Sequence, residues 1–141
     1  SAGQVIPSEG TVFLSVRDSD KDKLLPIAQG LISMGFSIVA TQGTYDFLSS
    51  HGVESTKIFK VNEGRPNVVD ALKNKDIQMV INTPSNLESR YDDKVIRQES
   101  YKLNIPVITT VAGAKATVEA MAEVRQTSLG VVSLQEYYAS V

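Results

Sequence analysis

The stretch TQGT, residues 41–44, places two hydroxyl side chains on either side of a glycine, directly after a short apolar run. Thr41 and Thr44 can donate O–H groups, and Gly43 leaves the backbone N–H groups open to a close approach. Where such a turn leads into a helix, the helix N-terminus attracts an anion, so these residue types at this spacing fit a phosphate group. Taken alone, the same four residues also fit a turn with an ordinary helix cap.

Four further segments carry similar side chains at the ends of predicted strands. They are SVRDSDK (15–21), KVNEGRP (60–66), NTPS (82–85) and TTVAG (109–113). Lysines and hydroxyls bind phosphate oxygens, and an amide can read a base edge or a sugar hydroxyl, so the segments suit a small phosphorylated ligand such as a nucleotide. The candidate binding residues are Lys21, Thr41, Gly43, Thr44, Lys60, Asn82 and Thr83, with Ser15, Arg65, Ser85, Thr109 and Thr110 in the same loops.

Short apolar runs alternate with amphipathic segments, and these elements must position the loops. The apolar runs predict strands over 11–16, 36–40, 55–61, 77–81 and 105–110, with a last short strand over 129–133. The amphipathic segments predict helices over 21–34, 44–50, 66–75, 92–103 and 114–125, and one or two last helical turns over 134–139. Pro26 must either kink the first helix or mark a later start, whereas Pro66 fits the first turn of the third.

This alternation is typical of an α/β fold. We expect a single domain with a three-layer open sheet of about five parallel strands flanked by helices, in a Rossmann-like arrangement. The central runs IVA, MVI and VIT are apolar on successive residues, as expected for strands covered on both faces. Because ligands bind beyond the carboxyl ends of the strands in such sheets, the five polar loops are predicted to share one rim.

The composition argues against several other classes of function. The 141 residues suit one domain, and a net charge of -2 with dispersed Lys and Arg disfavours a duplex nucleic-acid binder. The absence of cysteine excludes disulfides, thiolate metal sites and cysteine nucleophiles, and it fits a cytoplasmic setting. No apolar run approaches the roughly 20 residues that span a bilayer, so no membrane partner is expected. No metal site is predicted, since Asp18 and Asp20 fit a helix cap, and neither G-x-G-x-x-G nor a Walker A loop is present.

In combination, SVRDSDK, ATQGT, KVNEGRP, VINTPS and DDKVIR resemble the C-terminal allosteric domain of the carbamoyl phosphate synthetase large subunit, bacterial type. The similarity runs in order and with matching spacing from about residue 10 to about residue 138. Residues 10–141 are therefore expected to form a methylglyoxal-synthase-like regulatory domain, and residues 1–9 an irregular lead-in or a cloning remnant. The resemblance implies a rim that binds nucleotide effectors, with UMP as inhibitor and IMP as activator.

The resemblance also implies roles for individual residues. Lys21, Thr41 and Thr44 would contact the phosphate, Lys60 would be a nucleotide contact, and Asn82 would lie near the ribose or phosphate.

Three other positions bear on regulation. Thr109 matches a threonine that helps bind ornithine at the boundary with a neighbouring domain. Pro84 replaces a threonine hydroxyl of the family pattern, and Asp93 replaces a hydroxyl at the start of the following helix. A carboxylate at that point would repel a phosphate placed beside it.

The parent enzyme that the resemblance implies is a glutamine-dependent, ATP-dependent ligase of pyrimidine and arginine biosynthesis in the cytoplasm. The preceding synthetase domains of the same large chain and a glutaminase small subunit would be its partners. ATP, Mg and K would belong to those synthetase domains, and no cofactor is expected in this one.

Methylglyoxal synthase shares the implied fold and offers an enzymatic alternative. It removes a proton from dihydroxyacetone phosphate and eliminates phosphate, which needs a carboxylate base and usually a histidine partner. By alignment Pro66 stands at its catalytic aspartate and Tyr91 at its histidine, while His51 lies elsewhere and Asp18 alone is not a proton-abstraction apparatus. We therefore predict no catalytic residue. A third alternative is a ligand-free structural or interface domain, against which the retained lysines and threonines argue.

Overall fold

Five parallel strands form the centre of the computed structural model, which describes residues 7–84 and 90–139. The predicted lead-in over 1–9 is described only from residue 7, and Ser85 lies outside the described residues. The strands are β1 (Thr11–Ser15), β2 (Ser37–Ala40), β3 (Thr56–Lys57), β4 (Met79–Asn82) and β5 (Val107–Ile108). Their order across the sheet is β3-β2-β1-β4-β5, and every neighbouring pair is parallel, which confirms the predicted five-stranded open sheet.

Helices cover both faces of this sheet. They are α1 (Lys21–Ser33), α2 (Gln42–Ser50), α3 (Val68–Lys73), α4 (Arg90–Lys102) and α5 (Val111–Ala139), with short 3₁₀ turns at Asp18–Asp20 and Val61–Glu63. Within β1, Val12 and Leu14 pack with α1, α2 and α5, whereas Phe13 packs with α3 and α4. All three side chains are fully buried, so β1 is covered on both faces, as its apolar run predicts.

The start of α2 differs from the prediction in a way that shapes the rim. The helix begins at Gln42 rather than at residue 44, so Gly43 and Thr44 lie in its first turn. The third helix also differs, because Asn67 caps it and Pro66 lies before the cap. The Asn67 side chain accepts the N–H of Val69 at 3.0 Å, and the Asp70 carboxylate accepts the N–H of Asn67 at 2.9 Å. This reciprocal capping box fixes where α3 begins, so the prediction of Pro66 in its first turn is wrong.

Two further predictions about elements are wrong. The predicted strand over 129–133 is helical instead and belongs to α5, which is one continuous helix to Ala139; residues 134–139 are helical as predicted, but they continue this helix rather than form separate turns. A short apolar run cannot be told from a helical segment by periodicity, and a helix already nucleated among good helix formers extends without a new nucleation step. The third strand is two residues long rather than seven. Among the residues that the structure describes, no helix combines the length and apolar character needed to cross a membrane.

Pro26 lies inside α1, which begins at Lys21, so the alternative of a later start is wrong. Proline has no N–H for the carbonyl of Asp22 one turn earlier. Because Asp22 is exposed, water can satisfy that carbonyl.

Candidate functional site

An open cleft of about 390 Å³ lies beyond the carboxyl ends of β1 and β2. Five of the predicted binding residues line it together, namely Lys21, Thr41, Gly43, Thr44 and Lys60. The remaining lining residues are the last residue of β1, Ser15, and four residues that follow the strand, namely Val16, Arg17, Asp18 and Ser19. The cleft therefore lies on the rim where parallel sheets bind ligands, between the loops of three successive strands.

The N-terminus of α2 forms one wall of the cleft, and no side chain caps it. Thr41 is the N-cap residue, yet its hydroxyl donates to the Ser15 hydroxyl at 3.0 Å instead of accepting a helix N–H. Gly43 follows in the first turn, exposed and without a side chain to shield the backbone. An uncapped first turn presents N–H groups and the positive end of the helix dipole to the cleft, and both favour an anion.

Thr44 joins this helix to the loop after β1. Its side chain is 1% exposed, and its Oγ1 accepts the backbone N–H of Val16 at 3.2 Å. A hydroxyl that accepts one hydrogen bond still carries its own proton, so Thr44 retains a donor at the cleft.

Lys21 brings a positive charge against that same helix start. A Cβ atom at Gly43 would lie 3.1 Å from the Lys21 Nζ, so the ammonium group sits directly over the bare glycine backbone. Nζ also pairs with the carboxylate of Asp18, whose side chain is 95% exposed. The hydrogen bond and the charge of Lys21 lower the pKa of Asp18. A helix N-terminus carries a partial positive charge, which repels a cation placed beside it. Negative charge nearby offsets this repulsion, and the Asp18 carboxylate supplies part of that charge.

Arg17 and Lys60 add two further cations around the cleft. Arg17 Nε donates to Asp20 at 2.7 Å across the 3₁₀ turn, with Asp20 itself mostly buried. Lys60 enters from the opposite side, and its backbone N–H donates to Glu63 Oε1 at 2.7 Å. Sequence reasoning missed Arg17 as a cleft residue. The signal was its position in SVRDSDK, four residues before Lys21, which one turn brings to the same wall.

Asn82 and Thr83 lie behind the cleft rather than on its surface. Thr83 Oγ1 accepts the N–H of Arg17 at 2.9 Å, and its own N–H donates to the carbonyl of Ser15 at 3.0 Å. Asn82 is 1% exposed, and its Nδ2 donates to Asp93 Oδ1 at 3.2 Å. In the described structure these two residues hold the loop after β1 and the start of α4.

The other predicted rim residues are separated from the cleft. Arg65 is exposed and bonds Asp70, with Nη2 2.7 Å from Oδ1. Thr109 is half-buried at the end of β5, an edge strand with β4 between it and β1. Thr110 caps α5, since its Oγ1 accepts the N–H of Gly113 at 3.0 Å.

Neither His51 nor Tyr91 lines the cleft, and Asp18 is the carboxylate found among its lining residues. His51 is exposed at the C-terminal end of α2, about 12 Å of helix from the end that lines the cleft. Tyr91 is 69% exposed on α4 and is not among the lining residues. Within the described ranges, no group of His, Asp and Glu side chains is placed to hold a metal ion.

Comparison with known proteins identifies the family to which this chain belongs. The model of the MGS-like domain family matches residues 23–109, which is more than half of the chain. The chain belongs to the MGS-like domain family. Its fold agrees with this assignment, because the methylglyoxal synthase of Elizabethkingia anophelis superposes with a TM-score of 0.64 at 20% identity, covering 80% of this chain and 79% of that one. A second structure, ForH, superposes with a TM-score of 0.54 at 17% identity, covering 83% of this chain and 81% of that one.

Sequence relatives of this MGS-like domain are parts of much larger proteins. The carbamoyl phosphate synthase large chain of Nostoc sp. is 45% identical over 136 residues, which are 96% of this chain and 12% of that protein. The corresponding large chain of Brucella suis is 48% identical over 139 residues, 99% of this chain and 12% of that protein. In Aquifex aeolicus the match is 43% over 98% of this chain and 27% of the large chain's C-terminal section. The domain thus spans about an eighth of the length of the large chains it matches, and the predicted resemblance is confirmed.

Proposed function

We propose that this MGS-like domain is the allosteric domain of a carbamoyl phosphate synthase large chain and binds a nucleoside monophosphate through its phosphate group. The observation that carries the proposal is the uncapped start of α2, which faces Lys21 and shares its cleft with Arg17 and Lys60. Backbone N–H groups, hydroxyls and cations meet there at one point, which is the donor set that a phosphate needs. Each charge-assisted hydrogen bond contributes about 1.5–3 kcal/mol.

UMP and IMP are the proposed effectors, on the strength of the resemblance in the rim motifs. Asn82 remains a proposed contact near the ribose or phosphate on the strength of the resemblance alone, because in the described structure it is buried and does not line the cleft. Thr83 would act indirectly, because its hydroxyl oxygen accepts the backbone N–H of Arg17, which lines the cleft. Thr109, on the far edge of the sheet, is proposed to face the neighbouring domain and ornithine.

Regulation would require the ligand to prefer one global state of the whole enzyme. A coupling free energy of about 1–3 kcal/mol between the cleft and the synthetase domains is typical and would change apparent affinities about 5- to 150-fold. The preceding synthetase domains and the glutaminase small subunit are the proposed partners. ATP, Mg and K would bind in the synthetase domains, which would carry out the ligase reaction in the cytoplasm.

Calorimetric titration of the domain with UMP and with IMP tests the binding proposal, and heat from neither ligand at millimolar concentration would contradict it. Lys60→Ala should weaken UMP binding at least tenfold, because a cation at the cleft is lost. Lys57→Ala is the matched control, since Lys57 lies three residues away, bonds Gln42 at 2.7 Å and does not line the cleft. Equal weakening by both variants would refute the assigned site.

The enzymatic alternative has a direct assay. Dihydroxyacetone phosphate should bind weakly through its phosphate but should not be turned over, because Pro66 and Tyr91 stand where methylglyoxal synthase has its base and its histidine. Formation of methylglyoxal above the level of a cleft variant such as Lys60→Ala would overturn the regulatory proposal. A ligand-free interface domain would show neither binding nor turnover.

A further inference from the structure

A groove of about 300 Å³ lies between α5 and the segment that leads into β1, away from the cleft. Its two sides are Pro7 and Ser8 of the lead-in and the α5 residues Thr117, Ala120, Met121 and Val124. These four helix positions have the spacing of a single helix face. Val124 is 64% exposed and Ala120 is also exposed, so this face, here named the α5 groove, presents apolar surface to solvent.

Arg125 holds the two sides of the α5 groove together. Its Nη2 donates to the carbonyl of Ser8, and its guanidinium lies over the Phe36 ring, 5.8 Å from the ring centroid. Phe36 is buried, and a cation over an aromatic face is attracted to it. Both contacts are made within this domain, so the groove does not need a partner to shape it.

The lead-in that lines the α5 groove is also the connection to the rest of the large chain. On the proposed function the synthetase domains precede this domain, so the connecting chain passes through Pro7 and Ser8. The six residues that precede Pro7 can reach at most about 20 Å. A partner on so short a connection has an effective concentration of about 1 mM, at which a contact with a Kd of about 0.1 mM would form in about 90% of molecules.

We propose that the domain preceding this one in the large chain docks in the α5 groove, and that regulation by the cleft ligand passes through this contact. The inference rests on the proposed function, which supplies the preceding domain. The partner surface that fits is an apolar side chain with basic residues around it. Glu119 and Glu123 are exposed four residues apart, each one position before Ala120 or Val124, so they form an acidic stripe beside the groove.

Helix α1 joins the cleft to the α5 groove through packed contacts. Its first residue, Lys21, lines the cleft, and Phe36, beyond its other end, lies under Arg125. Between these points α1 and α5 approach closely, because a Cβ atom at Gly30 would lie only 2.9 Å from Val118 Cγ1. A ligand at Lys21 therefore acts on a helix that is packed against the proposed docking surface, which is the physical reason to expect that loss of docking weakens regulation.

Hydroxyl-radical footprinting of the separate domain and of the full large chain tests the docking without any ligand. We expect oxidation of Val124 to fall at least threefold in the large chain. Tyr101 is the internal control, since it is 53% exposed on α4, on the other face of the sheet, and it should be oxidised equally in both proteins. Equal oxidation of Val124 in the two proteins would overturn the docking.

Two other occupants of the groove give different footprints, and either would overturn the proposal. If the lead-in of this chain covers the groove, Val124 will be protected in the separate domain and will lose that protection when residues 1–6 are deleted. If a second copy covers it, protection in the separate domain will rise with protein concentration.

Val124→Glu in the full large chain tests the regulatory part. The new carboxylate would stand in the apolar groove one position from Glu123, so docking should fail, while the exposed site should leave the melting temperature unchanged. UMP affinity should stay within twofold of the parent, but the fold-change that UMP causes in the apparent affinity for ATP should shrink at least threefold. Tyr101→Glu is the matched control and should keep both properties of the parent.

Full regulation in Val124→Glu would overturn the proposed route and leave nucleotide binding intact. No binding of UMP by the parent would instead contradict the proposed function, and it would overturn the regulatory route with it. The two failures are distinguishable, because calorimetry measures the binding and the footprint measures the docking.

Discussion

Gly43→Ala should distinguish an effect on ligand affinity from an effect on the free energy of unfolding more clearly than a variant that removes a charge, such as Lys60→Ala. The new methyl group would lie 3.1 Å from the Lys21 Nζ, closer than most Cβ contacts, so the ammonium must move by a few tenths of an ångström. It would also stand over the first turn of α2, where the proposed phosphate takes its N–H donors. The perturbation is thus a single methyl group inside the proposed anion site.

The two expected effects have opposite signs. Alanine is favoured over glycine by up to about 1 kcal/mol within a helix, and Gly43 lies inside α2 without a positive φ, so the free energy of unfolding should stay equal or rise by up to that amount. Binding should lose the equivalent of one charge-assisted hydrogen bond, about 1.5–3 kcal/mol, which corresponds to about ten- to hundredfold in affinity.

Urea denaturation measures the first effect, and calorimetric titration with UMP measures the second. Gln42→Ala is the matched control, because Gln42 precedes Gly43 in the same turn, is exposed, bonds Asp46 and Lys57, and does not line the cleft. It should keep the affinity of the parent. A Gly43→Ala domain that is as stable as the parent and binds UMP equally well would refute the assignment of the phosphate to the start of α2.

Three further predictions concern neighbouring groups. Asp18→Asn should tighten UMP binding about two- to threefold at low salt, because the exposed Asp18 carboxylate competes with the ligand for Lys21; weaker binding would mean that Asp18 instead helps to position the lysine. Asn67→Ala should lower the free energy of unfolding by about 1 kcal/mol in urea with UMP affinity unchanged, and an unchanged urea midpoint would refute the role of the cap at α3. Asp92→Asn should raise the melting temperature at pH 7, with a gain that shrinks towards pH 4. Burial raises the pKa of Asp92, so the parent loses stability as the pH rises from the ordinary value of 3.8 through the folded-state pKa, whereas asparagine does not titrate. A gain of equal size at both pH values would contradict this reasoning.

The sheet and the position of the cleft are predictable from the sequence because they follow from alternation alone. Apolar runs separated by amphipathic segments favour parallel strands, and parallel strands bring their carboxyl ends to one rim. Lys21, Thr41, Gly43, Thr44 and Lys60 meet in one cleft for that reason.

The depth of each side chain at the rim is harder to predict. Asn82 is the last residue of β4, and both it and Thr83 are buried, because their side chains bond Asp93 and the backbone of Arg17 rather than face solvent. Such contacts join residues 11 and 66 positions apart, which no local pattern contains. Arg17 was missed for a related reason, since only the 3₁₀ turn at Asp18–Asp20 brings it to the same wall as Lys21.

The length of α5 shows a second reason why secondary structure cannot be fully predicted from the sequence. Residues 129–133 combine apolar and β-branched side chains that favour a strand locally, yet the backbone continues as a helix to Ala139. Local propensity gives way here to the extension of a helix that is already formed upstream.

Amide NMR during a titration with UMP shows whether the first turn of α2 receives a phosphate, because the backbone N–H groups of that turn would be its donors. We expect the N–H resonances of Gly43 and Thr44 to show the largest saturable shifts, and inorganic phosphate at higher concentration to shift the same two resonances in the same direction. Saturable shifts that leave Gly43 and Thr44 unmoved, or no shifts at millimolar UMP, would contradict it.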